Sequence, residues 1–377
     1  MEKKKLLLII EAMSGGAGRH VQDLILNLNP QKFDIYCVYS KGRADENFLS
    51  QLSKFQEKAT MIECNFLVRE ITLKKDFKAF REVTKIINQI NPDIVHCHSS
   101  KAGVIGRIAA KRNKIEKIFY TPHAFSFMAP EFSNKKKKLF VIIEKWLIKK
   151  ATSKVFCVSE SEMLEALKYG VGNKNSFEVI YNGLPIINLP TKKAAKKKLG
   201  ISEETFVIGN NARLSKQKDP FLFIELANKI ISSHPNIKFV WLGDGPLEAI
   251  LKQKVKDYHL DNSIKFLGFR SETEKLVCAY DLFLITSEYE GLPYAPIEAL
   301  RASVPIIATK VSGNIEIVEE GISGIFIDKN NFDDAVKNIN TLISNNYITK
   351  KIDLKQVFKK KFSIEKMLFS IEKEYLG

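Results

Sequence analysis

Apolar residues recur along this chain in short unbroken runs, with stretches of helical spacing between them, and the alternation occurs twice. In the first half, Leu6–Ala12 has the continuous apolar character of a parallel strand buried on both faces. A glycine-rich turn at Gly15–Gly18 follows, and the spacing then predicts an amphipathic helix over Arg19–Leu28. Asp34–Tyr39, Ile94–Cys97, Lys117–Tyr120, Val155–Val158 and Glu178–Tyr181 predict further strands. Helices are predicted at Asp76–Gln89, Gly103–Lys111 and Glu160–Tyr169, the last with Ser159 as its cap, and Asn182-Gly183 reads as a turn. Residues 184–204 hold two prolines and a lysine cluster and read as a linker with a short helix.

A second alternation starts after this linker. Thr205–Gly209, Lys238–Leu242 and Ile264–Leu267 predict strands, and Asp219–Ser232, Leu247–Asp257 and Thr273–Ala279 predict helices, with Pro220 suited to a first helical position. Asp281–Thr286 (DLFLIT) is the next strand, Gly291 and Pro293 break it, Tyr294–Ala302 is a helix, and Pro305–Ala308 opens another strand. The tail from Phe362 to Tyr375 reads as helical. Strands and helices in strict alternation imply an α/β fold of two doubly wound, Rossmann-like halves, with ligands bound outside the carboxyl ends of the strands.

Composition allows this. A chain of 377 residues, 45% of them hydrophobic, is long enough for two domains with real cores. Its five cysteines are widely spaced and mostly inside apolar runs, which implies reduced, buried thiols and a cytosolic protein. The start MEKKKLLLIIEAM imitates a signal peptide, but its apolar run ends at Glu11 and it reads as a first strand. No stretch approaches the ~18–20 apolar residues of a membrane span, so neither a secreted nor an integral membrane protein is expected.

Charge adds one thing. Lysine and arginine exceed aspartate and glutamate by 16 in the whole chain, and residues 1–185 carry 31 basic against 19 acidic residues. A basic half suits nucleic acid, an anionic membrane face or an acidic substrate. The densest part is Lys135–Lys138 followed by LFVIIEKWLIKK, where Phe140, Ile143, Trp146 or Leu147, with Lys149 and Lys150, form a basic amphipathic helix. Such a helix either lies on anionic head groups or packs on the core with its lysines in water.

Several residue patterns carry chemistry. Glu290 and Glu298 flank a strand–turn–helix junction, whose free backbone N–H groups and positive helix end favour a phosphate. One carboxylate in the turn and one about a turn into the helix suit sugar hydroxyls around that phosphate. Glutamates at helix starts also serve as plain capping groups, and spacing alone does not separate the two. Arg213 and Lys218, in NARLSKQKDP after a strand, suit a diphosphate, or are ordinary surface charge. Ser14-Gly-Gly-Ala-Gly18 has the place of a phosphate-binding turn, but it lacks the third glycine of a dinucleotide fingerprint and no acid ends the second strand, so NAD is not expected. His96 and His98 share a sheet face by alternation, yet no further ligands have suitable spacing for zinc.

Taken together, S-x-x-E-G-x-x-x-x-x-x-E-A-x-x-x-x-x-P-I-I-A-T, R-L-x-x-x-K, the Gly15-Gly16 loop, YTPHAFSF, Gly243-Asp-Gly245 and Phe266-Leu-Gly-Phe-Arg270 resemble the motifs of retaining glycosyltransferases of family 4, which have the GT-B fold. The resemblance covers about residues 4–330 with the motifs in order. It implies two Rossmann-like domains facing a cleft: an acceptor-binding domain over 1–185, a nucleotide-sugar domain over 186–355, and a final helix over 356–377 that crosses back to the first. It also implies that Arg213 and Lys218 clamp the pyrophosphate, and that Glu290 and Glu298 hold sugar and ribose hydroxyls. Gly15, Gly16, Gly243, Arg270 and the turn Gly291, Leu292, Pro293 and Tyr294 line the donor. His123 lies near the reacting centre. Many members have glutamate where Gly18 stands.

The implied activity is metal-independent transfer with retention, without a cofactor, from a nucleoside diphosphate sugar to a hydroxyl. UDP is the favoured nucleotide, and the acceptor is a glycan or lipid-linked saccharide of a bacterial surface polysaccharide. The expected place is the cytoplasm, with peripheral docking on the anionic inner membrane face and no nucleic-acid partner. Two other readings stay open: another GT-B activity, such as an inverting transferase or a nucleotide-sugar epimerase, and a non-catalytic basic protein that binds anionic lipid or nucleic acid.

Overall fold

The computed structural model describes residues 2–68, 70–129, 132–344 and 354–377. The chain forms two compact units, one of residues 1–182 and 365–377 and the other of residues 183–364. Residues 345–353, which the sequence places in the second domain, lie outside the described residues.

The first unit contains β1 (Lys4–Ala12), α1 (Gly15–Asn27), β2 (Phe33–Ser40), the short helices α2 (Glu46–Ser50) and α3 (Leu52–Gln56), β3 (Thr60–Glu63), α4 (Leu73–Ile90), β4 (Ile94–His98), α5 (Ser100–Arg112), β5 (Lys117–Thr121), α6 (Asn134–Ala151), β6 (Lys154–Cys157), α7 (Glu160–Lys168) and β7 (Phe177–Val179). Its seven strands lie in the order β3-β2-β1-β4-β5-β6-β7, and every pairing is parallel. Leu6 to Ile10 in β1 are wholly buried, as a central strand covered on both faces requires. All five cysteines of the chain are free and buried, and burial pushes the thiols of Cys37, Cys64 and Cys97 up to about 12, which leaves them unreactive.

The second unit contains α8 (Lys192–Lys198), β8 (Val207–Asn211), α9 (Pro220–Ser233), β9 (Lys238–Leu242), α10 (Glu248–Asp257), β10 (Ile264–Phe266), α11 (Thr273–Leu276), β11 (Leu282–Ile285), α12 (Tyr294–Arg301), β12 (Ile306–Thr309), α13 (Asn314–Ile317), β13 (Gly324–Ile327), α14 (Phe332–Ser344) and α15 (Leu354–Phe362). Six parallel strands run in the order β10-β9-β8-β11-β12-β13. The sequence reading places residues from 356 onward in a returning tail, whereas α15 packs on α12 within this unit and Ser363 pairs with Leu184. The last helix, α16 (Ile364–Leu376), brings Tyr375 and Glu372 to the first unit. There the Tyr375 hydroxyl lies 2.6 Å from His96 Nδ1, and Lys32 donates to Glu372 at 2.7 Å.

Two local readings change. The glycine turn Gly15–Gly18 is itself the first turn of α1, because Gly15 adopts φ 61° and lets the helix begin four residues before Arg19. The apolar stripe of α6 is rotated by one residue. Leu147 is buried, Phe140 and Ile143 are half-buried, and the exposed apolar side chains are Leu139, Ile142 and Trp146. Val141, Glu144, Leu147, Ile148 and Ala151 form the face that packs inward, and this sets the rotation.

Candidate active site

In both sheets the strand order reverses at one point, between β1 and β4 in the first unit and between β8 and β11 in the second. Open α/β sheets bind ligands outside the carboxyl ends of the strands at such a point. Gly15 and Gly16 open the helix that follows β1, Arg213 and Lys218 follow β8, and Glu290 follows β11. Topology thus gives these residues a place in the fold that is independent of any motif.

In the second unit Lys218 and Glu290 meet. Lys218 Nζ lies 2.5 Å from Glu290 Oε1, in a pair whose side chains are 21% and 5% exposed. The two loops are joined by the main chain as well: Glu288 N–H donates to the Gln217 carbonyl at 2.8 Å, the Gln217 side chain donates to the Tyr289 carbonyl at 3.0 Å, and the Thr286 hydroxyl donates to the Lys218 carbonyl at 2.9 Å. A lysine has three donors, so the ammonium that holds Glu290 can still serve a phosphate. Arg213 is exposed, and its guanidinium bonds no described residue.

Glu298 is buried on α12, and Leu292 and Tyr294 are buried beside the Gly291–Pro293 turn. The N-cap of α12 is Pro293, which has no side-chain group to close the helix start. The α12 dipole places partial positive charge at this start, which attracts anions. Sequence reasoning missed the loop after β12. Ser312 donates to the Glu290 carbonyl at 3.0 Å and Thr309 to the Ser287 carbonyl at 2.6 Å. A Cβ on Gly313 would stand 2.6 Å from the Gly291 carbonyl oxygen, so only glycine lets this loop close on the turn. The V-S-G-N stretch was its one visible signal.

Gly243 has a structural duty of its own: at φ 134°, an added Cβ would stand 2.1 Å from the Ala212 carbonyl oxygen, beside Arg213. Its N–H donates to the Gly268 carbonyl at 2.8 Å, so the loops after β9 and β10 are paired, and Arg270 stands exposed two residues on.

In the first unit, the predicted residue His123 belongs to a cluster of four histidines. Its Nε2 shares a hydrogen bond of 3.3 Å with His98 Nδ1, its ring centroid is 5.0 Å from that of His20, and the His96 and His98 centroids are 4.0 Å apart. Burial holds His123, His96 and His98 well below the usual histidine range and lowers His20 to about 4, so the cluster is neutral at pH 7. Both nitrogens of His96 are engaged, with the Tyr375 hydroxyl at 2.6 Å and the Thr121 hydroxyl at 2.8 Å, which leaves no lone pair for a metal. His20 Nδ1 lies 3.0 Å from Asn182 Oδ1. The sequence reading took Asn182 only as a turn residue and gave His20 no role.

Comparisons with known proteins give the family of the chain. Residues 14–186 match the family model described as Glycosyltransferase Family 4, and residues 191–361 the one described as Glycosyl transferases group 1. The chain is 32% identical over 282 residues to the UDP-Gal:alpha-D-GlcNAc-diphosphoundecaprenol alpha-1,3-galactosyltransferase of Escherichia coli, a match covering 72% of this chain and 71% of that protein. It is 24% identical to the capsular polysaccharide biosynthesis glycosyltransferase CapM of Staphylococcus aureus, across 84% of this chain and 82% of that one. The crystal structure of HepE from Anabaena, in complex with UDP and glucose, superposes with a TM-score of 0.82 at 22% identity, over 98% of both chains, and the fold is that of GT-B enzymes.

Proposed function

The chain belongs to the family 4 glycosyltransferases, and from that premise we propose that it transfers a sugar, with retention and without a metal, from a UDP-sugar to a hydroxyl of a lipid-linked saccharide in bacterial surface-polysaccharide synthesis. The observation that carries this reading is the partly buried Lys218–Glu290 pair beside the start of α12, at the switch point of the second sheet. Arg213, Lys218 and the helix start neutralise the diphosphate as the bond from the anomeric carbon to the phosphate oxygen breaks. The acceptor hydroxyl attacks on the face the diphosphate leaves, and its proton passes to the departing phosphate oxygen, so no separate base is required. His123, neutral at pH 7, is assigned to the reacting centre by its place in the family motif. The names of the relatives support UDP and a diphosphoundecaprenol acceptor, the first in HepE and both in the Escherichia coli enzyme.

Glu298→Ala is expected to weaken donor binding and Glu290→Ala to slow transfer. Each loses hydrogen bonds to a charged group that contribute about 1.5–3 kcal/mol, or roughly tenfold or more. Steady-state kinetics with UDP-glucose, UDP-galactose and UDP-N-acetylglucosamine test this, and near-normal values in both variants would remove the donor site from this turn.

The same reading gives the first unit an anionic membrane face as partner. No helix among the described residues is long and apolar enough to cross a membrane. On α6, however, Leu139, Ile142 and Trp146 are 53%, 63% and 53% exposed among lysines. Lys135 to Lys138 occupy the helix start with no acidic residue in the first turn, where each cation opposes the helix dipole. They weaken their own helix, which fits selection for an external anionic partner. Wild type should sediment with anionic vesicles at low salt, where each lysine adds about 1 kcal/mol, and a variant with Lys135 to Lys138 changed to glutamine should not. Wild type left in the supernatant would turn the acceptor toward a soluble glycan.

A further inference from the structure

His123 and Ala124 both have left-handed backbones, at φ 55° and 77°. Two successive residues with a Cβ in this region are unfavourable, and alanine has no polar side chain to compensate locally. What holds them lies on another element. Glu162, wholly buried in the first turn of α7, accepts the Ala124 N–H at 2.7 Å through one carboxylate oxygen and the Val158 N–H at 2.8 Å through the other.

Helix capping accounts for only part of this. Ser159 accepts the Glu162 N–H at 3.1 Å and Glu162 accepts from Val158, so together they close the start of α7. The second oxygen leaves the helix and reaches the corner after β5 that carries His123. Burial pushes the carboxyl up to about 7, opposed by the two N–H donors. A buried, costly carboxylate bonded to the left-handed corner that carries His123 does more than a cap requires.

We infer that Glu162 is a positioning residue for transfer: by holding the Ala124 N–H it fixes the left-handed His123–Ala124 corner and so sets the direction of the His123 imidazole, the group assigned above to the reacting centre. The inference rests on the reading of His123 given above. Glu162→Gln is the direct test, because an amide can accept one of the two N–H groups but must present its own donors to the other.

The probe is whichever of UDP-glucose, UDP-galactose and UDP-N-acetylglucosamine wild type hydrolyses fastest. Glu162→Gln should lower kcat by about tenfold or more while leaving the Kd for UDP within about twofold, since Arg213, Lys218 and Glu298 are untouched. Ser159→Ala, which damages the cap alone, should lower Tm without lowering kcat. In the His123→Ala background Glu162→Gln should add no further loss, and the His123 ring signals should move in Glu162→Gln but not in Ser159→Ala. Should Glu162→Gln not fold, the same comparison is made on Glu162→Asp, which keeps the charge but is one methylene too short to hold both the Val158 and the Ala124 N–H groups. A wild-type kcat in Glu162→Gln, losses that multiply in the double variant, or equal slowing by Ser159→Ala would overturn the inference. An undiminished kcat in His123→Ala would instead overturn the role of His123 itself.

Discussion

Arg213→Ala and Lys218→Ala should each lower kcat by about 10²–10³, the loss typical when one preorganised donor to a developing anion is removed. The two variants should differ in kind. Arg213 is exposed and bonds no described residue, so its loss acts on the diphosphate alone, and kcat and kcat/KM fall together. Lys218 is also the counter-ion of Glu290, whose side chain is only 5% exposed. Its removal leaves a buried carboxylate without its counter-ion, which disturbs the group assigned to the transferred sugar. Lys218→Ala should therefore raise KM for the donor as well, and Lys218→Ala with Glu290→Gln should recover part of that rise. All these rates should be the same in EDTA. A kcat within about twofold of wild type in both single variants, or activity lost to EDTA and restored by manganese, would show that the leaving group is stabilised by other means.

The pair that supports this expectation was legible only in part. Glu290, Arg213 and Lys218 could be placed on their turns, and Glu298 on its helix, from apolar runs, breakers and spacing, because parallel strands buried on both faces leave unbroken apolar stretches such as DLFLIT. That Lys218 touches Glu290 could not be read, since nothing local joins positions 72 apart. The histidine cluster was hidden for the same reason. His20 meets Asn182 across 162 positions and His96 meets Tyr375 across 279. The strands β3 and β13 escaped notice because TMIE and GIFI are only four residues long and lie at sheet edges, where burial is incomplete and the apolar signal weak. On α6 the apolar residues LFVII run around the helix, so periodicity could not say which faced inward until Val141, Leu147 and Ile148 were seen in the core.

The inward face of α6 also carries the ion pair whose loss should destabilise the first unit most. Arg107 on α5 is wholly buried, with Nη2 2.9 Å from both Glu144 oxygens on α6, Nε donating to the Gly103 carbonyl at 2.7 Å, and its guanidinium carbon 3.8 Å from the Tyr120 ring centroid on β5. One side chain thus ties two helices to the strand that leads into His123. Arg107→Ala removes the partner of a carboxylate that stays buried, and such a loss costs about 3–5 kcal/mol. Replacing both charges, as in Arg107→Met with Glu144→Leu, leaves no buried charge and should recover most of that loss. Urea unfolding followed by circular dichroism, with hydrogen exchange on α5 and α6, measures both variants. If Arg107→Ala unfolds at the wild-type urea concentration, or the double variant is as unstable as the single one, the pair does not organise this unit. If both outcomes hold as expected, the charges are exchangeable for stability, and a lower kcat remaining in the refolded double variant would assign their retention to the placement of the β5 corner.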